Sequence, residues 1–340
     1  MCVWSVYTGK KTAAPLLWES LEKIEGLWAG FYTGLVTAEN GRLHMGKVLG
    51  NMDVWSGKYK LEDFPGTSGL IHSRTNSGGD ERWGHPFVGS SGKVAIISQG
   101  CSGIFADQAI PLSEKWGNMM LKEGKVFTSG IYGLPKRYPV LSDGGQVHSA
   151  EVGCNAVEYY YEKLGDPLEA MRKVFFELSN EAVSFFLFAD HPGVIGFVNS
   201  NQHAVYQMRE DGVLVSITSL GLPGNNGVEL PCNAVGLITP EKITFEKLDP
   251  RYETLFDIPE GIVSAALECI KANPGFLLGN VADTALKPLF PANTLNYRVG
   301  AAYRVAEHLV REKLIRIEKV DHTSSQGTPG TLFRLYAVEK

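Results

Sequence analysis

Apolar residues come in short dense runs over most of the chain and at helical spacing in two places. Val94-Ala95-Ile96-Ile97 is a continuous apolar run that stops at Ser98-Gln99-Gly100, the pattern of a short buried strand. Leu70-Ile71-His72-Ser73-Arg74 is a second strand, running into the turn Asn76-Ser77-Gly78-Gly79-Asp80. Val183 to Phe188, Val194 to Val198 and Val213 to Ile217 read as further strands. Between these groups lie two helices. Ala150 to Lys163 places Val152, Ala156, Tyr159 and Tyr160 on one face. Asp166-Pro167-Leu168 opens the second, with Asp166 as N-cap, Pro167 at the first helical position, and Leu168, Met171, Val174, Phe175 and Leu178 as the apolar face. Two helices between two groups of strands predict layered α/β packing.

The pattern changes after Asp257. Ile258 to Ala272 reads as one helix with Pro259 near its start, and Val281 to Lys287 as a second ended by Pro288. Asn293-Thr294 caps a third helix, Leu295 to Leu314, whose inner face is Val299, Ala302, Ala306 and Leu309. Ile315 to Val320 and Thr331 to Tyr336 form a hairpin around a polar tip, Asp321 to Gly330. Three helices followed by a hairpin is the winged-helix order. The expected division is residues 1–250 and 255–340, with the boundary near Asp249 to Asp257.

Composition narrows the functional classes. The chain has 340 residues, 44% hydrophobic and 20% charged, which is ordinary for a globular protein of about two domains. A net charge of −5 argues against non-specific binding to nucleic acid or membrane by the whole molecule. From Asn293 onward eight Lys and Arg face five acids, a thin excess for phosphate contacts, so nucleic acid is a disfavoured partner. No apolar run approaches the length of a membrane span, and Met1 to Ser5 does not read as a secretory signal. Five cysteines with no Cys-x-x-Cys pair argue against a disulfide framework and a structural zinc site. His44, His191, His203, His308 and His322 show no metal-ligand spacing. Gly221, Gly224 and Gly227, with Pro223 among them, read as a turn rather than a phosphate loop. The expectation is a cytoplasmic protein with no metal and no cofactor.

Cys2 is the first candidate for chemistry. If Met1 is removed, Cys2 carries a thiol and a free α-amine on adjacent carbons, with ordinary pKa values of about 8.5 and about 7.7 to 8.0. The amine then serves as a built-in general base. The other four cysteines, Cys101, Cys154, Cys232 and Cys269, lie in apolar contexts and read as core residues.

Four further stretches fall in order behind Cys2: Gly26-Leu27-Trp28-Ala29-Gly30-Phe31-Tyr32-Thr33-Gly34-Leu35; His72-Ser73-Arg74-Thr75-Asn76-Ser77-Gly78 with His85-Pro86 beyond it; Ser98-Gln99-Gly100; and Val147-His148-Ser149-Ala150-Glu151-Val152. As an ordered set they resemble the class II glutamine amidotransferase domain, the Cys-nucleophile branch of the N-terminal-nucleophile hydrolases. The resemblance covers residues 2 to about 245. It implies an α+β fold, a four-layer αββα sandwich, with the winged-helix-like segment appended.

The resemblance also implies roles. Cys2 attacks the side-chain amide of glutamine or a related amide, forms a thioester and releases ammonia. Arg74, with Thr75 and Ser77 beside it, grips the substrate α-carboxylate through parallel N–H donors. Gln99 and Gly100 stand at the family Asn-Gly that builds the oxyanion hole. His85 reads as a loop-shaping residue rather than a base. Three departures bear on specificity. Gln99 offers its amide on a longer arm than Asn, and a misplaced oxyanion donor costs about 3 to 4 kcal/mol of barrier. Ser149 stands where the family has an Asp for the α-ammonium, with His148 and Asp143 nearby but out of register. Thr75-Asn76 replaces a common Trp-Ala. A substrate without a free α-ammonium is compatible with these changes.

No acceptor site for ammonia is visible after residue 250, so the expectation is either a separate acceptor subunit as partner or a plain amidohydrolase, and a homo-oligomer is compatible with the sequence. The competing reading is a ligand-sensing domain with weakened catalysis, coupled through the winged helix to DNA or to a protein.

Overall fold

The computed structural model describes residues 2–101, 105–133, 138–178, 180–249, 258–290 and 295–338. The strands of the larger part are β1 (Val3–Gly9), β2 (Tyr32–Glu39), β3 (Arg42–Leu49), β4 (Ser68–Arg74), β5 (Phe87–Val88), β6 (Val94–Cys101), β7 (Glu181–Phe188), β8 (Ile195–Asn199), β9 (Val205–Arg209), β10 (Gly212–Ser216), β11 (Val228–Glu229), β12 (Ala234–Ile238) and β13 (Ile243–Lys247). Its helices are α1 (Ala13–Glu22), α2 (Met52–Ser56), α3 (Ala106–Lys122), α4 (Ser149–Leu164) and α5 (Pro167–Phe175).

These strands form two antiparallel sheets, ordered β11-β9-β10-β1-β4-β2-β3 and β13-β12-β8-β7-β6-β5 among the described residues. The sheets face each other through β4 against β6 and β7. Helix α1 covers β1 and β4 on the far side of the first sheet, while α4 lies on β6 and α5 on β8 and β12. The layer order is αββα. Central strands are therefore covered on both faces, and every residue of β1 and of β7 is buried. That is why the second half of β7, Phe185 to Phe188, is a continuous apolar run rather than an alternating one.

Asp166 caps α5 by accepting from the backbone N–H of Leu168 and of Glu169, and Pro167 stands in the first turn, as the sequence signals. Helix α3 carries Pro111 in its interior, which hides it from a reading based on helix breakers.

The tail holds α6 (Ile262–Ala272), α7 (Leu278–Val281), α8 (Leu295–Arg311), β14 (Ile315–Thr323) and β15 (Pro329–Ala337). The order of helices and hairpin matches the sequence pattern, but the bounds differ. Helix α6 starts at Ile262, behind Gly261 at φ +76°, so residues 258–261 are outside the helix. The second helix starts earlier than expected and passes through a π turn at Ala282–Leu286 into a 3-10 turn that contains Pro288. The hairpin strands run to Thr323 and from Pro329, because polar residues pair on exposed strands as readily as in a loop. The expected caps Asn293 and Thr294 and most of the expected boundary, residues 250–257, lie outside the described residues.

One apolar cluster contains Val3, Trp4 and Val6 of the first sheet together with Val299, Ala302, Tyr303, Ala306 and Leu309 of α8 and Phe333 and Leu335 of β15. The tail shares its core with the first sheet. No helix among the described residues is long and apolar enough to cross a membrane.

Candidate active site

The register of the first sheet explains how Cys2 and Arg74 meet. Val3 pairs with Ser73 and Trp4 with His72 across β1 and β4. One step further, Arg74 stands opposite Cys2, and directly opposed residues project from the same face of a sheet. Side chains alternate along β1. Ser5 reaches Ser20 of α1 at 2.7 Å, whereas the Trp4 ring meets Phe185 of the second sheet at 4.7 Å between centroids. Cys2 shares the parity of Trp4, so it belongs to the face turned toward the second sheet.

That face ends in a cavity of about 310 Å³. Cys2, Arg74, Thr75, Ser77, Gln99, Gly100 and Ser149 all line it, so every site residue expected from the sequence meets there. His85, Tyr138 and His148 line it too, as do the apolar side chains Ile96, Ile110, Phe175 and Leu178. Tyr138, whose hydroxyl donates to the Ser77 carbonyl at 2.7 Å, had no signal in the sequence. Among the described residues lining the cavity, none carries a carboxylate.

Arg74 is 3% exposed. One guanidinium N–H donates to the Gly78 carbonyl at 2.9 Å, and the group lies 4.8 Å above the Tyr32 ring. The loop from Thr75 to Gly79 thus curls around the guanidinium and fixes its plane.

Gln99 is equally buried. Its side-chain oxygen accepts from Trp4 Nε1 at 3.5 Å, and its amide N–H donates to Gln202 Oε1 at 3.0 Å. Gln202 is held in turn, donating to the Glu181 carbonyl at 2.9 Å. The longer arm of Gln99 is folded into this chain of amides, which a shorter Asn could not span in the same way. Gly100 has φ +145°, and a Cβ there would sit 2.2 Å from the Glu181 carbonyl oxygen, so the position demands glycine.

His72, His85 and His148 form a buried cluster beside Arg74. His72 stacks on His85 at 4.3 Å, and His85 meets His148 edge-on at 4.9 Å. Burial, joined by the positive charge of Arg74, holds the His72 pKa down at about 3 and pushes His85 and His148 well below the usual histidine value. All three are neutral. His85 Nδ1 accepts from the Ser98 N–H at 3.1 Å, and His148 Nδ1 caps α4 by accepting from the Ala150 N–H at 3.2 Å. His148 therefore lines the cavity without charge.

Neither nearby acid supplies the missing charge. Glu151 is buried and accepts from the backbone and hydroxyl of both Thr128 and Ser129. Asp143 accepts from the Gly145 N–H and is not among the cavity residues. Of the remaining cysteines, Cys154 is fully buried as expected. Cys232 and Cys269 are only partly buried, and the Cys101 side chain lies outside the described residues. No group of His, Cys, Asp and Glu among the described residues is placed to hold a metal ion.

Helix α8 adds a contact that no motif announced. The Tyr303 hydroxyl donates to the Cys2 carbonyl at 3.3 Å. Its charged neighbours are engaged: Arg304 with Glu229 at 2.8 Å and Arg298 with Asp283 at 3.1 Å. These pairs occupy two of the three arginines that a nucleic-acid reading of this helix would need.

No family model matches the chain. It is 28% identical over 198 residues to a glutamine–fructose-6-phosphate aminotransferase (isomerizing) of Caldanaerobacter subterraneus subsp. tengcongensis, covering 57% of this chain and 28% of that one. It is 24% identical over 195 residues to the enzyme of the same name from Pyrococcus horikoshii, covering 56% and 28%. The chain thus spans little more than a quarter of the length of these relatives. Among solved structures, glutamine phosphoribosylpyrophosphate amidotransferase of B. subtilis superposes with a TM-score of 0.56 at 12% identity, covering 99% of this chain and 72% of that one. An allosteric regulatory enzyme of purine biosynthesis superposes at 0.54 and 11% identity, covering 74% and 49%. The two-sheet body has the N-terminal-nucleophile hydrolase fold. In this chain Cys2, one residue ahead of β1, meets Arg74 and Gln99-Gly100 in one cavity.

Proposed function

We propose that the protein is an amidohydrolase of the class II glutamine amidotransferase type, with Cys2 as nucleophile. The convergence of Cys2, Arg74 and Gln99-Gly100 on one cavity carries this reading. The thiol would be deprotonated by the Cys2 α-amine, freed by removal of Met1, and would attack the side-chain amide carbon of glutamine or a related amide. The tetrahedral oxyanion would be met by the Gly100 N–H and by the Gln99 amide N–H that is not given to Gln202. Collapse expels ammonia, with its proton supplied by the α-ammonium, and leaves a thioester. Water, deprotonated by the same amine, then hydrolyses the thioester to the free acid.

Arg74 would hold the substrate carboxylate. A free α-ammonium would find hydroxyls, from Ser149, Thr75 and Ser77, but no carboxylate among the described lining residues. The reading therefore extends to amides whose α-nitrogen is acylated. The proposed ammonia acceptor is a further domain or subunit.

Ammonia release from glutamine and from N-acetylglutamine tests this directly. Activity in wild type that vanishes in Cys2→Ala supports it. Equal activity in Cys2→Ala, or none from either amide in protein shown to have lost Met1, contradicts it.

A further inference from the structure

Cys2 stands one residue ahead of β1, and in an N-terminal-nucleophile mechanism its amine and thiol are both mobile parts of a terminal residue. Both turn about bonds that start at the Cys2 α-carbon. Their common axis is fixed only if the peptide plane joining Cys2 to Val3 is fixed. Val3 is held by the ladder to Ser73. On the Cys2 side, the carbonyl accepts from the Tyr303 hydroxyl of α8 at 3.3 Å.

Tyr303 is itself immobilised. It is fully buried, and its ring lies between Trp28, at 5.8 Å between centroids, and His203, at 6.4 Å. One helical turn on, Glu307 pins α8 to the first domain. Its carboxylate accepts from the Thr218 hydroxyl at 2.6 Å and the Ser219 N–H at 2.8 Å, and pairs with His203 Nε2 at 3.1 Å. Burial opposes ionisation of Glu307, but these partners outweigh it and hold its pKa below the usual value. Gly300, on the same side of α8, passes close enough to His203 that a Cβ would lie 3.3 Å from the His203 Cβ. The hairpin adds a second attachment. The Thr331 N–H donates to the Gly30 carbonyl at 3.2 Å, and Asn51 donates to the Thr331 hydroxyl at 3.0 Å.

We infer that Tyr303 is a positioning residue for the nucleophile: the C-terminal segment, through α8, anchors the Cys2 main chain in the geometry that the thiol and amine need. The inference rests on the amidohydrolase reading, but its failure is separable from the failure of that reading. A misplacement of the order of 1 Å at a reacting group can cost about a hundredfold in rate, so loss of one anchoring hydrogen bond is expected to show as a loss of about tenfold. Substrate binding would run through Arg74, on β4, rather than through α8, so KM should not follow.

The experiment compares wild type with Tyr303→Phe, which removes one oxygen and keeps the ring. Three readings are taken on the full chain: kcat and KM for amide hydrolysis, the unfolding temperature, and hydrogen exchange of the N-terminal peptide followed by mass. The expected result is a kcat lowered about tenfold with KM within about twofold. Exchange at the start of the N-terminal peptide should be faster, and the unfolding temperature should stay within a few degrees. A wild-type kcat overturns the proposal. So does a kcat loss matched by a rise in KM or by a collapse in unfolding temperature, which would assign Tyr303 to packing alone. If wild type shows no Cys2-dependent turnover, the amidohydrolase reading fails, and exchange then judges the anchor by itself: unchanged exchange overturns it and faster exchange upholds it.

Discussion

The guanidinium of Arg74 lies 4.8 Å over the ring of Tyr32, its register partner across β2 and β4. The stacking and the hydrogen bond to Gly78 hold the planar group at the wall of the cavity that Cys2 also lines. Lysine would keep the charge but lose both the stacking plane and the parallel donors. Arg74→Lys is expected to raise KM for a carboxylate-bearing amide by about tenfold or more while changing kcat by less than about threefold. Steady-state kinetics of ammonia release measure both; an unchanged KM would remove Arg74 from substrate binding.

Ser149 opens α4 at the cavity wall, and no carboxylate among the described lining residues faces the space beside it. An ammonium placed there would find hydroxyls but no protein carboxylate among the described lining residues, and a buried charge without a partner is costly. Wild type is therefore expected to hydrolyse N-acetylglutamine at least as efficiently as glutamine. Ser149→Asp supplies a negative charge at a helix N-terminus, where it is tolerated. It should shift the ratio of kcat/KM values toward glutamine by about tenfold, equivalent to about 1.4 kcal/mol. A ratio that does not move would show that the α-nitrogen binds elsewhere.

Gly100 is fixed by sterics rather than by flexibility in general. At φ +145° with the Glu181 carbonyl 2.2 Å from a would-be Cβ, Gly100→Ala forces β6 away from β7. The expected cost is of the order of 2 kcal/mol or more, read as a lowered denaturation midpoint, and hydrolysis should be lost with it. A variant as stable as wild type would contradict the backbone geometry described for this strand.

The pH dependence of stability has two limbs. Burial raises the Glu25 pKa from 4.5 to about 7, against opposing hydrogen bonds that include Thr33 and the Met52 N–H. A carboxyl raised in the folded state stabilises it most below pH 4.5, and this contribution fades as pH rises through about 7, a change of roughly 3 kcal/mol. The buried histidines act oppositely. With folded pKa values below 6.5, they cost stability as pH falls under that value. Glu25→Gln should flatten the decline between pH 5 and 8 and leave the acid limb in place, as unfolding temperature against pH would show. A decline unchanged in Glu25→Gln would assign it to other groups.

The sequence discloses those parts of the fold where a local rule and a tertiary role coincide. Asp166-Pro167 caps α5 where its chemistry says it should, and the apolar runs of β4, β6, β7, β8 and β10 are strands because both sheet faces are covered. The meeting of Cys2, Arg74, Gln99 and Ser149 was legible through their order along the chain rather than through spacing. Other features had no local signature. Pro111 conceals α3. The amide chain from Gln99 to Gln202 spans about a hundred residues and exists only once β6 and β7 are paired. Tyr303 reads as one more core residue of an amphipathic helix, and its bond to Cys2 depends on how that helix docks. The hairpin and helix bounds of the tail shifted because polar strand residues and a π turn leave no mark in hydrophobic periodicity.

The central claim is that Cys2 is a nucleophile at the end of the sandwich. Its most direct test is the mass of purified protein before and after treatment with diazo-oxo-norleucine, an electrophilic glutamine mimic, with the modified residue located by peptide mass. Loss of Met1 and a single adduct on Cys2, absent in Arg74→Ala at the same dose, is the predicted result. A chain that retains Met1, or an adduct on Cys232 or Cys269 with Cys2 untouched, would contradict it.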